Sequence, residues 1–179
     1  MTGNFSGMIE GKAYAFFRLL IILIGLGSSA AHAHLQCVPY AREVSGISIH
    51  GDAHTWWSKA DGRYAKGRTP EVGAILAFRP SHAMPLGHVA VVAEVLDDRR
   101  IVLNHANWSG PGVIEDHAIA VDVSEAGDWS SVRVWYGPIH SLGSRHNPTF
   151  GFIYDSTPDQ RRDPITIAAE EASLDAVEG

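Results

Sequence analysis

Apolar residues recur at Val38, Tyr40, Ala41 and Val44 within Cys37–Ser45, a spacing that predicts a short helix. Pro39 is tolerated only in the first turn of such a helix, and Gly46 suits the left-handed residue that ends one. A second helix is predicted over Ala53–Ala60, with Asp52 as its cap and Gly62 as its stop. Thr69-Pro70-Glu71-Val72-Gly73 reads as a turn. Beyond it come short β-rich runs at Ala74–Phe78, His88–Val95, Arg100–His105, Val132–Tyr136 and Phe150–Tyr154, with Asp97-Asp98 as a hairpin turn. Gly110–Asp128 reads as irregular, apart from a short apolar alternation at Ala118–Val123. Helices first and strands later predict an α+β domain, its N-terminal helices packed on an antiparallel sheet of about five to six strands.

Residues 1–33 have a different pattern. Lys12 and Arg18 precede the apolar run Leu19–Gly27, and Ser28-Ser29-Ala30-Ala31-His32-Ala33 supplies small residues for cleavage after Ala33. These are the three parts of a secretory signal, so residues 1–33 are expected to be a signal peptide, and export to the periplasm or beyond follows. The run is shorter than the roughly 20 residues that span a bilayer, so no stable membrane span is expected after cleavage. At the other end, residues 155–179 hold seven acids against two bases and no aromatic residue, and are expected to be a disordered acidic tail. Residues 34–154 remain as the expected folded domain.

Composition narrows the function classes. The 179 residues are 45% hydrophobic, enough for an ordinary core. The net charge of −6 comes without any basic stripe, which argues against nucleic acid as a partner. Cys37 is the only cysteine, so an intrachain disulfide is excluded. In an exported chain a lone thiol is a liability unless it is buried, paired or used.

Use is the reading the surroundings favour. Cys37 opens a predicted helix, where unpaired N–H groups and the macrodipole stabilise an anion, so its pKa is expected to fall. A thiolate enzyme needs a base, most often an imidazole. Of ten histidines, His88 stands apart because it opens the apolar strand Val89-Ala90-Val91-Val92 directly after Gly87. If His88–Val95 and Arg100–His105 form a hairpin, Asn107 is carried back toward His88, where its amide oxygen is placed to hold the ring as the third member of a triad. Gln36, or the Cys37 backbone N–H, is a candidate oxyanion donor. Trp57 and Trp108 are candidates to line a substrate groove, and Arg42 is an ion-pair or groove residue. His50 and His54 have metal-ligand spacing, but Gly51 and Asp52 between them read as a turn and a cap, so neither a metal nor any other cofactor is expected.

Five motifs lie in order: Leu35-Gln36-Cys37-Val38-Pro39-Tyr40-Ala41-Arg42; Gly51-Asp52-Ala53 with Trp56-Trp57; Pro70 with Gly73-Ala74; Gly87-His88-Val89-Ala90-Val91-Val92; and Asn107-Trp108. Together they resemble the CHAP domain, the cysteine, histidine-dependent amidohydrolase/peptidase family of peptidoglycan hydrolases. The likeness runs over residues 35–154. It implies a papain-like fold, Cys37 as nucleophile, His88 as general base and Asn107 as the polar orienting residue. The chain departs from the family in one place: many members carry an acid two positions before that Asn, where this chain has His105. The third member is therefore Asn107 or His105, with Asn104 a weaker candidate.

The expected function is an exported thiol amidohydrolase or endopeptidase, acting as a monomer on peptidoglycan or a peptide. Its rivals are a zinc-dependent amidase and a non-catalytic wall-binding or regulatory module.

Overall fold

Alternation along β2 (Ile75–Phe78) and β3 (His88–Asp97) divides their side chains between two separate apolar clusters. Leu76, Phe78, Ala90 and Val92 join one cluster, while Ile75, Ala77, Val89 and Val91 join the other. Both faces of β2, and of β3 as far as Val92, are thus buried, on different partners. A computed structural model describes residues 36–161 of the chain. The expected signal peptide, its cleavage site and the tail from residue 162 onward lie outside the described residues.

Two short helices come first, α1 (Cys37–Ser45) and α2 (Trp56–Lys59), the latter entered through a 3-10 turn at Ala53–Thr55. The strands are β1 (Lys66–Gly67), β2, β3, β4 (Arg100–Ala106), β5 (Ile114–Asp122), β6 (Ser131–Tyr136), β7 (Ser141–Leu142) and β8 (Asn147–Ile153). Each of β2 to β6 pairs antiparallel with the next in sequence, and β8 pairs with both β2 and β6. Six strands therefore close into a barrel.

This corrects the expected fold class. The molecule is a mostly antiparallel closed barrel, not an α+β papain-like arrangement of N-terminal helices on an open sheet. The physical reason lies in the inner faces. Phe78, Ile101, Leu103, Trp129 and Phe152 bury one another across the barrel, with Ala74, Ala90, Ala118 and Ala120 filling the narrow places, so the sheet supplies its own second layer. The helices cover part of the outer face, mainly at β2 and β3, through Ala41, Ala53, Trp56 and Ala60. Closure also needs β8 to bend. The β2–β8 register shifts between Ala77 and Phe78, and Gly151 there has φ 128°, where an added Cβ would lie 2.4 Å from the Gly67 carbonyl oxygen. Only glycine fits.

Other expectations fare unevenly. The first helix has the predicted bounds, and Gly46 ends it at φ 76° with its N–H donating to the Arg42 carbonyl. Val44, one of the apolar positions that predicted the helix, is exposed. The second helix is only four residues long, and Asp52 serves it through its backbone carbonyl, which accepts from Thr55, not through a side-chain cap. Gly110–Asp128, read as irregular, contains the nine-residue strand β5. After β8 the chain stays on the barrel as far as Arg161, whose guanidinium pairs with Glu71 and lies over the Tyr154 ring at 3.8 Å.

Candidate active site

A groove of about 1030 Å³ opens at one mouth of the barrel. One wall comes from the start of α1 and the loop before β3, with Gln36, Cys37, Gly87 and His88; Asn107 and Trp108 follow β4. The far wall includes Tyr136, Ile139 and Arg145.

Cys37 is the first residue of α1, and α1 lies against β3 and β4. That packing brings the sulfur to the start of β3, where the backbone N–H groups of Val89, of Val38 and of Cys37 itself act electrostatically on it. Val89 directly follows His88, so the residue whose N–H acts on the sulfur is the neighbour in sequence of the one that carries the imidazole. Gly87 makes this approach possible. It has φ 68°, and a Cβ there would lie 2.9 Å from the Phe78 carbonyl oxygen and 3.1 Å from the His54 nitrogen.

His88 points into the barrel and is 4% exposed. Its ring is boxed by Phe78, His105 and Trp108, with centroids 5.4, 5.2 and 5.0 Å away. Trp108 is fixed in turn by its indole N–H, which donates to the Trp135 carbonyl. His88 Nε2 lies 3.1 Å from Nδ1 of His105, a fully buried residue. Behind it, His105 Nε2 lies 3.3 Å from Glu115 Oε2, and Glu115 Oε1 accepts from the Ser109 hydroxyl at 2.6 Å.

The imidazole's polar partner is thus His105. Asn107, expected to orient His88, is engaged elsewhere. Its Oδ1 accepts from the Gly112 N–H, and its Nδ2 donates to Gln36 Oε1 at 3.0 Å. With its carbonyl held this way, Gln36 directs its remaining group, the Nε2 amide, as a donor. Asn104 accepts from the His117 N–H and serves a bulge in β5. Trp57 is not in the groove. It stacks on Phe150, with centroids 5.8 Å apart, and carries Lys66 over its ring. Arg42 shares a 2.8 Å contact with His50 Nδ1, and His54 sits in the 3-10 turn beside the Leu86 carbonyl.

Sequence reasoning missed Glu115. It faces His105 across the β4–β5 ladder because the register shifts between Leu103 and His105, with His117 at φ 69° on the opposite strand. Counting the alternation back from Ala118 would select Asp116, but the bulge sends Asp116 outward to accept from Tyr40 of α1 at 2.8 Å.

The electrostatics reverse one expectation. Burial pushes the Cys37 thiol up, and the three backbone N–H groups only partly offset it. Burial and then the neighbouring His105 push His88 well below its usual range. Burial raises Glu115, but hydrogen bonds from His105 and Ser109 outweigh it and hold the carboxyl below the usual range. At neutral pH the resting site therefore has its proton on sulfur, a bare imidazole nitrogen and an ionised Glu115.

Residues 27–107 match the CHAP domain. The resemblance drawn from the motifs is borne out, and with it goes a family of peptidoglycan hydrolase-like amidases and peptidases. Cys37, His88, His105 and Asn107 fall inside the CHAP match, whereas Ser109 and Glu115 lie beyond its end. No curated protein matches the chain. No helix among the described residues is long and apolar enough to cross a membrane.

Proposed function

We propose that this protein is an exported thiol amidohydrolase or endopeptidase that cleaves an amide bond in peptidoglycan. The observation that carries the reading is the placing of Cys37 and His88 in the lining of one groove, with the Val89 N–H acting on the sulfur and His88 Nε2 engaged by His105. The other ring nitrogen, Nδ1, is then left for the thiol. Export rests on the pattern of residues 1–33 alone.

As sulfur attacks the amide carbonyl, the thiol proton passes to His88 Nδ1 and a C–S bond forms. The oxyanion is met by the Gln36 amide and the Cys37 backbone N–H, and one such donor typically lowers the barrier by about 2.7–4 kcal/mol. His88 returns its proton to the departing amine as the C–N bond breaks, leaving an acyl-enzyme. Water then attacks the thioester, giving its proton to His88, and Cys37 is released as the thiol. Because the resting pair is neutral, proton transfer accompanies attack instead of preceding it.

The test is turbidity loss and fragment analysis of sacculi with wild type, Cys37→Ser and His88→Ala from pH 5 to 9. Both variants should lose about 10³–10⁴-fold in rate while remaining folded. Wild type should show a plateau between a low imidazole limb and a high thiol limb. Sacculi bound without release of soluble fragments would point to a wall-binding module. Loss of activity to chelator with Cys37→Ala still active would point to a zinc-dependent amidase.

A further inference from the structure

We propose that Glu115 is a positioning residue that sets, through His105, which nitrogen of His88 is free to face Cys37; this rests on the reading of Cys37 and His88 as nucleophile and base. Each polar contact in the buried chain fixes the direction of the next. The Gly137 N–H donates to Ser109 Oγ at 2.8 Å, and the Ser109 hydroxyl donates to Glu115 Oε1. Glu115 Oε2 and His105 Nε2 are buried and face each other at ion-pair distance, 3.3 Å, and neither atom has a hydrogen-bond partner among the described residues, so each is the only polar neighbour open to the other. An ionised carboxylate can only accept, so the proton of His105 belongs on Nε2. Nδ1 of His105 is then an acceptor, and His88 Nε2, 3.1 Å away, must be the donor. His88 Nδ1 is left bare, in the form a general base requires.

The ionisable groups around His88 come from three elements: Cys37 on α1, His105 on β4 and, behind His105, Glu115 on β5. Phe78 and Trp108, which complete the box, carry no charge. Glu115 is thus the acid of this chain of contacts, reached through His105, which stands where many CHAP members carry a carboxylate.

Glu115→Gln reverses the logic without changing the shape. Ser109 still donates to the carbonyl oxygen, which turns the Gln amide N–H toward His105 Nε2. His105 must then hold its proton on Nδ1, His88 must accept there, and the His88 proton moves to the nitrogen that serves the thiol. The site is occupied but cannot take a proton.

Nitrogen-15 NMR of the imidazoles reads this in the resting protein, without substrate. Wild type should show His88 and His105 both protonated on Nε2, and Glu115→Gln both on Nδ1. Cys37 alkylation by iodoacetamide at pH 7 should fall in Glu115→Gln to the rate of His88→Ala, a loss of about 10²-fold or more. Glu115→Asp and Ser109→Ala retain an accepting carboxylate and should keep the wild-type tautomers. A wild-type His105 protonated on Nδ1 overturns the proposal, even if Glu115→Gln does not fold. So do unchanged tautomers in a folded Glu115→Gln. If the tautomers are as assigned but wild-type alkylation is no faster than that of His88→Ala, the positioning role stands and the Cys37–His88 reading fails.

Discussion

Strand β5 carries two inward acids, one near each end, and they are used in opposite ways. Asp122 is 2% exposed and both of its oxygens are taken. Oδ1 accepts from the Ser124 N–H and hydroxyl, Oδ2 accepts from the Trp129 N–H, and Arg99 Nε lies 3.6 Å away. Every donor but Arg99 comes from the loop that leads out of β5, so the carboxylate ties that loop to the barrel. Glu115 has one oxygen held by Ser109 and leaves the other to a histidine whose far nitrogen meets His88. A saturated buried carboxylate fixes structure. One whose remaining partner can carry a proton either way acts on chemistry.

The difference can be broken first at Asp122. Asp122→Ala strands three donors near the core and should lower unfolding free energy by about 3 kcal/mol in urea denaturation. Hydrolysis per folded molecule should be unchanged. Glu115→Ala should show the converse, a smaller stability loss with a larger loss of rate. If the two variants behave alike, the contrast is mistaken.

The next effect is pH-dependent. His88 is held well below its ordinary value of 6.5 by burial, so the unfolded chain takes up that proton first as pH falls. Its contribution is complete above the unfolded value and is lost below it, at up to about 1.4 kcal/mol per pH unit, until the folded value is reached. Wild type should therefore lose more stability between pH 6.5 and 5.5 than His88→Ala does, measured by urea midpoints. Equal losses would mean that His88 is not buried neutral.

The smallest effect concerns the helix that delivers the sulfur. Tyr40 is pushed up to about 12 by burial and by its hydrogen bond to Asp116. Tyr40→Phe removes that tie between α1 and β5 and should cost about 1 kcal/mol in thermal or urea unfolding, with iodoacetamide reactivity of Cys37 little changed.

Local signals made part of the molecule legible. Cys37–Ser45 announced itself through Pro39 and Gly46, and the apolar run after Gly87 marked His88 as the polar residue at a strand mouth. The closing of the barrel was not legible, because it depends on β8 meeting both β2 and β6, a pairing between segments far apart in the chain. Read by itself, a strand with both faces buried suits a helix-covered sheet equally well. Asn107 was drawn toward the site correctly, but hairpin register alone could not tell that its amide would hold Gln36 while His105 took the imidazole. Glu115 was hidden by a single-residue bulge, which moves the inward phase of β5 from even to odd positions below Ala118.

The central claim is that the Cys37 sulfur becomes covalently acylated during turnover. The direct measurement is mass spectrometry of protein quenched in acid during digestion of sacculi or a synthetic stem peptide. The account predicts a substrate fragment on the Cys37 peptide in wild type and none in Cys37→Ser. Soluble fragments released by Cys37→Ser at the wild-type rate, with no adduct on the wild-type protein, would contradict it.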